Sequence, residues 1–236
     1  MTLDPLAIEQ TKPLTAVRDM VMALRGLFAG ETVDLDGEIF SLRNASIDYA
    51  RPDIDVILAG RGPKMRALGG LVADGFNLSY THKSLLGSHT TAMRAAGSGN
   101  DRPFEITYQT MVVTNEADFE AARAILTFHL VNPPPGVKEL IGMTDADADA
   151  IQAALASGVG TDGASRGPYL TPRQAAAELV KPEWVHNFVL TGSPIEAGAE
   201  LRDLMDTNDI DQFLLPVYEL NGAAELIERT ATMFTS

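Results

Sequence analysis

Between Asp53 and Lys83 the chain reads DIDVILAGRGPKMRALGGLVADGFNLSYTHK, and two short runs within it hold residue types that bind a phosphate ester. The first is Gly60-Arg61-Gly62-Pro63-Lys64. Gly60 and Gly62 let the backbone approach a ligand, Pro63 suits the first turn of a helix, and the unpaired N–H groups of such a turn attract anions. Arg61 and Lys64 are weaker candidates, because either can simply face solvent. The second run, Ser79-Tyr80-Thr81-His82-Lys83, clusters hydroxyls with cations. Two anion-friendly loops on neighbouring strand ends point to one phosphorylated cofactor. The plainer reading, that glycines at a βα turn serve only the turn, stands beside it. A Rossmann fingerprint fits poorly, because Met65 occupies the place of the third glycine.

The elements that would position these runs form one βαβ unit. An apolar β-branched run, Ile54 to Leu58, leads into the glycine turn. Met65, Leu68, Leu71 and Val72 then share a helical face, and a second strand covers Gly75 to Ser79. Such a unit places two parallel strands side by side with a right-handed crossover, and its ligands collect at the carboxyl ends of the strands.

The rest of the chain keeps the same alternation. A first helix has Thr11 as N-cap, Pro13 in its first turn, a stripe of Leu14, Val17, Met20, Val21, Leu24 and Leu27, and Gly30 as stop. Val33 to Leu35 and Glu38 to Leu42 flank Asp36-Gly37, a strong hairpin signal that lies outside the main sheet. Ser84 to Ala96 is a helix, Glu105 to Thr114 a strand with Ile106, Tyr108, Thr110 and Val112 on one face, and Glu116 to Leu130 an amphipathic helix. Residues 131–170 change character: Pro133-Pro134-Pro135-Gly136 breaks the pattern, Asp145 to Gly158 is helical, and GVGTDGASRG is a run of small residues. This stretch is expected to be an insertion covering a substrate pocket. Thr171-Pro172 then starts a helix to Val180, and Trp184 to Leu190 leads into a turn. Ser193 and Glu196 form a capping box for a helix to about Asp206, Phe213 to Pro216 is a buried strand, and Ala223 to Phe234 closes the chain. Strands alternating with helices give a parallel α/β fold in a single domain, residues 1–236.

At 236 residues and a net charge of −14, the chain is long enough for one real core and too acidic to attract nucleic acid or an anionic membrane. It has no cysteine, hence neither disulfides nor thiolate chemistry, and no apolar run long enough to span a bilayer. The N-terminus lacks a signal pattern, so the expectation is a soluble, cytoplasmic protein acting on a small molecule.

Other motifs fail on their context. Gly163-Ala164-Ser165-Arg166-Gly167 matches a nucleophile elbow, but no strand precedes it, Pro168 follows, and only His186 lies downstream as a base. Asp145, Asp147 and Asp149 imitate a calcium loop, yet Ala150 and Ala156 occupy the positions of its glycine and glutamate. That run reads as a solvated, acid-rich helix start. His82, His89, His129 and His186 lack metal-ligand spacing, His129 and His186 reading as packed or surface residues, and no metal site is expected.

Several stretches also carry a resemblance. They are Leu27-Phe28-Ala29-Gly30-Glu31, the hairpin D-G-x-x-F-x-L, the central V-x-L-A-x-x-G-P-K-M-x-x-L-x-G-x-x-A-D-G from Val56 to Gly75, and the later L-T-P-x-Q-A-A and T-G-S-P. Over nearly its whole length the chain resembles the bacterial luciferase-like oxidoreductases, in the branch similar to methylenetetrahydromethanopterin reductase. The resemblance implies a TIM (β/α)8 barrel that binds FMN or the deazaflavin coenzyme F-420 at the strand carboxyl ends. It implies that Gly62-Pro63 and the Ser79 to Lys83 cluster hold the cofactor's phosphate, with His82 or Lys83 supplying the charge. The reaction implied is hydride transfer from the reduced ring to an electrophilic carbon or imine, or, with FMN, reaction with oxygen. No catalytic residue is assigned.

Family members are about a hundred residues longer. By the resemblance, this chain corresponds to the C-terminal half of the barrel plus the insertion, its central unit supplying the fifth and sixth strands. A half barrel leaves sheet edges and an apolar face uncovered. The expectation is therefore a truncated chain, one half of a split enzyme with a complementary half-barrel partner, or a homodimer that closes the barrel with a second copy. A catalytically silent flavin-binding remnant of the same family is the alternative to an active oxidoreductase.

Overall fold

A computed structural model describes residues 11–99, 103–157, 174–218 and 222–234. The chain divides into two compact units, Met1–Asn77 with Thr91–Glu105, and Leu78–Thr90 with Ile106–Ser236. The dividing points fall inside strands and a helix, so each unit is built from pieces distant in sequence.

The first unit starts with α1, Pro13–Phe28. Its N-cap is Lys12, in the left-handed region at φ 43°, rather than Thr11. Pro13 fills N1, where its missing N–H costs nothing, and Gly30 follows the helix at φ 79°. Met20, expected on the buried stripe, is exposed, while Asp19, Val21 and Ala23 are buried. β1 (Val33–Asp36) and β2 (Ser41–Ala45) form a separate antiparallel hairpin, as expected of an excursion from the main sheet. Its loop is four residues long rather than the two of Asp36-Gly37, with Asp36 paired to Ser41. A Cβ on Gly37 would stand 2.6 Å from the Phe40 carbonyl oxygen, so a glycine is needed to close the loop this way.

The central βαβ unit is present. β3 is Ile57–Ala59, α2 is Pro63–Val72 and β4 is Gly75–Ser79. β3 and β4 are parallel, with Ile57, Leu58 and Ala59 opposite Gly75, Phe76 and Asn77. The first strand starts three residues later than its apolar run, because the Val56 N–H is taken by the Asp74 side chain at 2.9 Å and the Asp74 N–H by the Val56 carbonyl. On α2 the buried face is Arg66, Gly69 and Gly70, whereas Leu71 is exposed. The glycines are dictated by contact: a Cβ on Gly69 would lie 2.4 Å from Phe76 Cδ2, and one on Gly70 2.2 Å from the Met93 carbonyl oxygen. Met93 belongs to α3, Leu86–Gly97, which a short 3₁₀ turn at Lys83–Leu85 precedes.

The chain passes into the second unit within β4, and that unit holds most of β5, Glu105–Gln109, and all of β8, Gln212–Leu214. β5 and β8 are parallel, Tyr108 facing Phe213. The alternation Ile106, Tyr108, Thr110, Val112 is buried throughout, but the strand is interrupted before its end. Thr110 Oγ1 donates to the Phe188 carbonyl at 2.5 Å, and the chain changes partners there. Val112–Val113 becomes β6, parallel to β7 at Leu190–Thr191. β8 is not buried as expected: Leu214 is 41% exposed, and among the described residues no strand pairs with its other side.

The helices of this unit are α4 (Glu116–Leu130), α5 (Val137–Ile141), α6 (Asp145–Ser157), α7 (Gln174–Ala177), α8 (Pro182–Val185), α9 (Pro194–Asn208) and α10 (Ala223–Ala231). Asn115 caps α4 by accepting from the Asp118 N–H, and the Ser193–Glu196 capping box on α9 is formed in both directions. The described part of the 131–170 stretch supplies Val137, Met143, Ala148, Ile151 and Leu155 to the same buried cluster as Leu126, Trp184 and Phe188. Asp145 and Asp147 begin α6, pairing with Lys138 and Lys181, in accord with a solvated acidic helix start. Gly163 to Gly167 and Thr171-Pro172 lie outside the described residues. Among the described residues no helix is long and apolar enough to cross a membrane, and no group of three or more His, Asp or Glu could hold a metal ion.

Candidate functional site

The Gly60–Lys64 turn belongs to the first unit, at the carboxyl end of β3. Its two glycines are there for different reasons. A Cβ on Gly60 would stand 2.6 Å from Met65 Cγ, so the turn packs down onto its own helix. Gly62 is the N-cap of α2, extended at φ −86° and ψ 147°, and a Cβ added to it would meet nothing within 4 Å. Neither backbone strain nor packing asks for a glycine at position 62, and the fold leaves open space beside the first turn of a ten-residue helix. Pro63 at N1 has no N–H, the Met65 N–H turns back to the Gly62 carbonyl, and no side chain among the described residues caps the helix, which leaves the Lys64 N–H as the first-turn donor for an anion. Lys64 and Arg61 lie at the surface.

Arg66 was not foreseen. It is 8% exposed, and its Nη1 donates to the Arg61 carbonyl at 2.7 Å, which ties the turn to the helix it precedes. Burial lowers its pKa, yet a guanidinium stays charged in proteins. A lone arginine on an otherwise apolar and glycine-rich helical face carries no sequence signal of that role.

The Ser79–Lys83 segment, taken by itself in the second unit, is held from several sides. Tyr80 has a left-handed backbone, φ 46°, and is 3% exposed. Its N–H donates to the Gln109 carbonyl, its hydroxyl is 2.8 Å from that of Tyr218, and its ring lies 4.8 Å from that of His129. Burial, with Tyr218 beside it, pushes the Tyr80 hydroxyl far above the ordinary tyrosine range, so it is neutral. With Tyr80 turned into the core, Ser79 and Thr81 on either side of it are half-buried hydroxyls.

Neither residue expected to supply charge in this segment is free to do so. His82 is 6% exposed; its Nδ1 accepts from the Ser84 N–H at 3.3 Å and lies 2.9 Å from Ser84 Oγ, and its ring meets Phe188 edge-on. Accepting at Nδ1 places the proton on Nε2, which is buried with no partner among the described residues. Burial, and then the neighbouring Lys83, lower the His82 pKa, so the imidazole is neutral at pH 7. Lys83 forms an ion pair with Glu200, 117 residues away, and its N–H donates to the Asn187 carbonyl. What this segment offers an anion is therefore Ser79, Thr81 and a neutral imidazole N–H. His129 packs on Tyr80 and His186 lies at the surface against Phe119, as read from the sequence.

The chain matches the luciferase-like monooxygenase family model over residues 5–208. It is 26% identical over 210 residues to the 5,10-methylenetetrahydromethanopterin reductase of Archaeoglobus fulgidus, covering 86% of this chain and 60% of that protein. With the reductase of the same name from Methanolobus tindarius it shares 28% over 212 residues, 87% of this chain and 61% of the other. The coenzyme F420 dependent tetrahydromethanopterin reductase from Methanopyrus kandleri has a similar fold, with a TM-score of 0.70 at 17% identity, over 96% of this chain and 65% of that one. The chain thus spans about 60% of the length of the curated relatives it matches. The fold is α/β, of the TIM-barrel type those proteins share.

Proposed function

The chain belongs to the luciferase-like monooxygenase family, and from that premise we propose that it is an oxidoreductase of a small organic substrate that uses coenzyme F-420 or FMN. Of the two cofactors we favour F-420, because two relatives matched over most of this chain are 5,10-methylenetetrahydromethanopterin reductases and a similar solved structure is named for that coenzyme. The observation that carries the reading is Gly62: a glycine demanded neither by strain nor by packing, at a helix N-terminus that no side chain among the described residues caps.

The residues present suit a phosphate ester. At the end of β3 the backbone of Gly60, Gly62 and Lys64 supplies N–H donors, Pro63 presets the turn, Arg66 holds it, and the cations of Arg61 and Lys64 lie at the surface close by. After β4, Ser79 and Thr81 are the candidate donors. His82 would act there as a neutral donor through Nε2, and Lys83 would orient the segment through Glu200 rather than neutralise a phosphate. The reduced cofactor supplies a hydride when bound. The chain's own part is to bind the cofactor, fix its position and exclude water.

The test is a fluorescence titration of the purified chain with F-420 and with FMN, repeated on separate variants at Gly62 and at Ser79 with Thr81. Micromolar binding of one cofactor, weakened by either variant, is the expected result. Absence of binding by both cofactors overturns the reading, and a cofactor bound without any substrate turnover leaves a flavin-binding protein in place of an enzyme.

A further inference from the structure

We propose that a cleft of about 350 Å³ in the second unit holds a neutral, partly apolar organic molecule. Its assignment as the substrate pocket rests on the function proposed above; its capacity to bind such a molecule does not. The cleft lies where α4 and α10 begin, bounded by chain just beyond two strand ends: Asn115 follows β6 by two residues, and Pro216 follows β8 by two. That is the end of parallel strands at which α/β folds place ligands. At this size it falls in the lower part of the range for small-molecule sites.

The lining decides the ligand's chemistry. Met111, Ile125, Pro216 and Leu226 make apolar walls. Arg229 is the cleft's cation, but both its Nη atoms face Asp118, at 3.0 and 3.3 Å, and Nη1 also meets Thr114 Oγ1. That pair cancels, which leaves Glu225 as the net charge among the described residues of the lining. An anionic ligand would meet this carboxylate within a chain of net charge −14. A cationic one is drawn by Glu225 but meets the positive ends of the two helices that begin there, Arg229 being already matched by Asp118. A neutral molecule pays neither penalty.

The cleft is also joined to the Ser79–Lys83 segment. Tyr218 lines it, and the Tyr218 hydroxyl is 2.8 Å from that of Tyr80, the residue between Ser79 and Thr81. A molecule against Tyr218 therefore sits one side chain away from the segment to which cofactor contacts are assigned.

The experiment uses the full chain with ¹³C-methyl labels on Met111 and Ile125. Cyclohexanone, cyclohexanecarboxylate and cyclohexylammonium are titrated in turn, so that shape is constant and charge varies. Cyclohexanone is expected to shift both methyl signals with a Kd on the order of 1–10 mM, as befits a seven-atom ligand, and the charged analogues to bind at least about tenfold more weakly. Ala121→Leu, which puts three more carbons into the cleft from α4, is expected to weaken cyclohexanone binding by about tenfold or more while thermal melting and cofactor titration stay unchanged. If that variant fails to fold, Ala117→Leu on the rim of the same cleft replaces it. Unshifted methyls, shifts that survive the filled cleft, or either charged analogue binding as well as the ketone would each overturn the proposal. Loss of cofactor binding with cyclohexanone binding intact would overturn only the function proposed above.

Discussion

Replacing Gly62 with valine separates the fold's needs from the ligand's. The extended backbone at φ −86° and ψ 147° is one that valine adopts without strain, and a Cβ there meets nothing within 4 Å. Valine is a poorer N-cap than glycine, at about 0.5–1 kcal/mol. The unfolded chain loses freedom when glycine is replaced, which returns about 0.4–1 kcal/mol. The two nearly cancel, so Tm should move by no more than roughly 2 °C for a chain of this size. Cofactor affinity should change much more. A branched side chain beside the first turn of α2 blocks a phosphate from at least one charge-assisted N–H bond, worth about 1.5–3 kcal/mol, and that is a loss of roughly 10- to 150-fold. Fluorescence titration against F-420 and FMN, with a thermal melt on the same sample, measures both quantities. An unchanged Kd with an unchanged Tm would refute the assignment, because the space beside Gly62 would then have no ligand to admit. A collapse of Tm would refute the claim that the fold leaves this position open.

Further outcomes follow from other contacts. Gly70→Ala should cost about 1–3 kcal/mol in a urea melt, because its Cβ would stand 2.2 Å from a backbone oxygen, that of Met93, which has little freedom to move; a neutral effect would mean that α2 and α3 pack less tightly than described. Tyr218→Phe leaves the buried Tyr80 hydroxyl without its 2.8 Å partner and should cost about 1–3 kcal/mol in the same assay. For His82, burial foremost lowers the folded pKa below the ordinary 6.5. The unfolded state then binds more protons as pH falls through 6.5, so His82 withdraws stability on acidification and has no such effect well above that pH. Melting between pH 7.5 and 5.5 should therefore drop further for the natural chain than for His82→Gln, and equal drops would contradict a neutral, buried His82.

Local chemistry was legible without the fold. The βαβ unit, the parallel pairing of β3 and β4, the extent of β4 and α4, and the Ser193–Glu196 capping box each depend on residues a few positions apart, and each is found where the periodicity puts it. The misplacements come from contacts between residues far apart in sequence. β3 begins late because the Asp74 side chain takes the Val56 N–H. The strand from Glu105 breaks at Thr110 because its partner changes from β8 to β7. Leu214 is exposed because β8 has no further strand beside it among the described residues.

The same division holds for the candidate site. The sequence by itself determined the residue types, two glycines before a proline and a hydroxyl and cation cluster after the next strand, and with them the kind of ligand to expect. Only the tertiary structure separated Gly60, which makes room for Met65, from Gly62, which makes room for nothing in the protein. It alone joined Lys83 to Glu200, buried His82 into a neutral form, and set Tyr218 against Tyr80. Residue type is a property of the chain. Charge state and vacant space are properties of the surroundings, and in this protein those surroundings come from residues as much as 138 positions away.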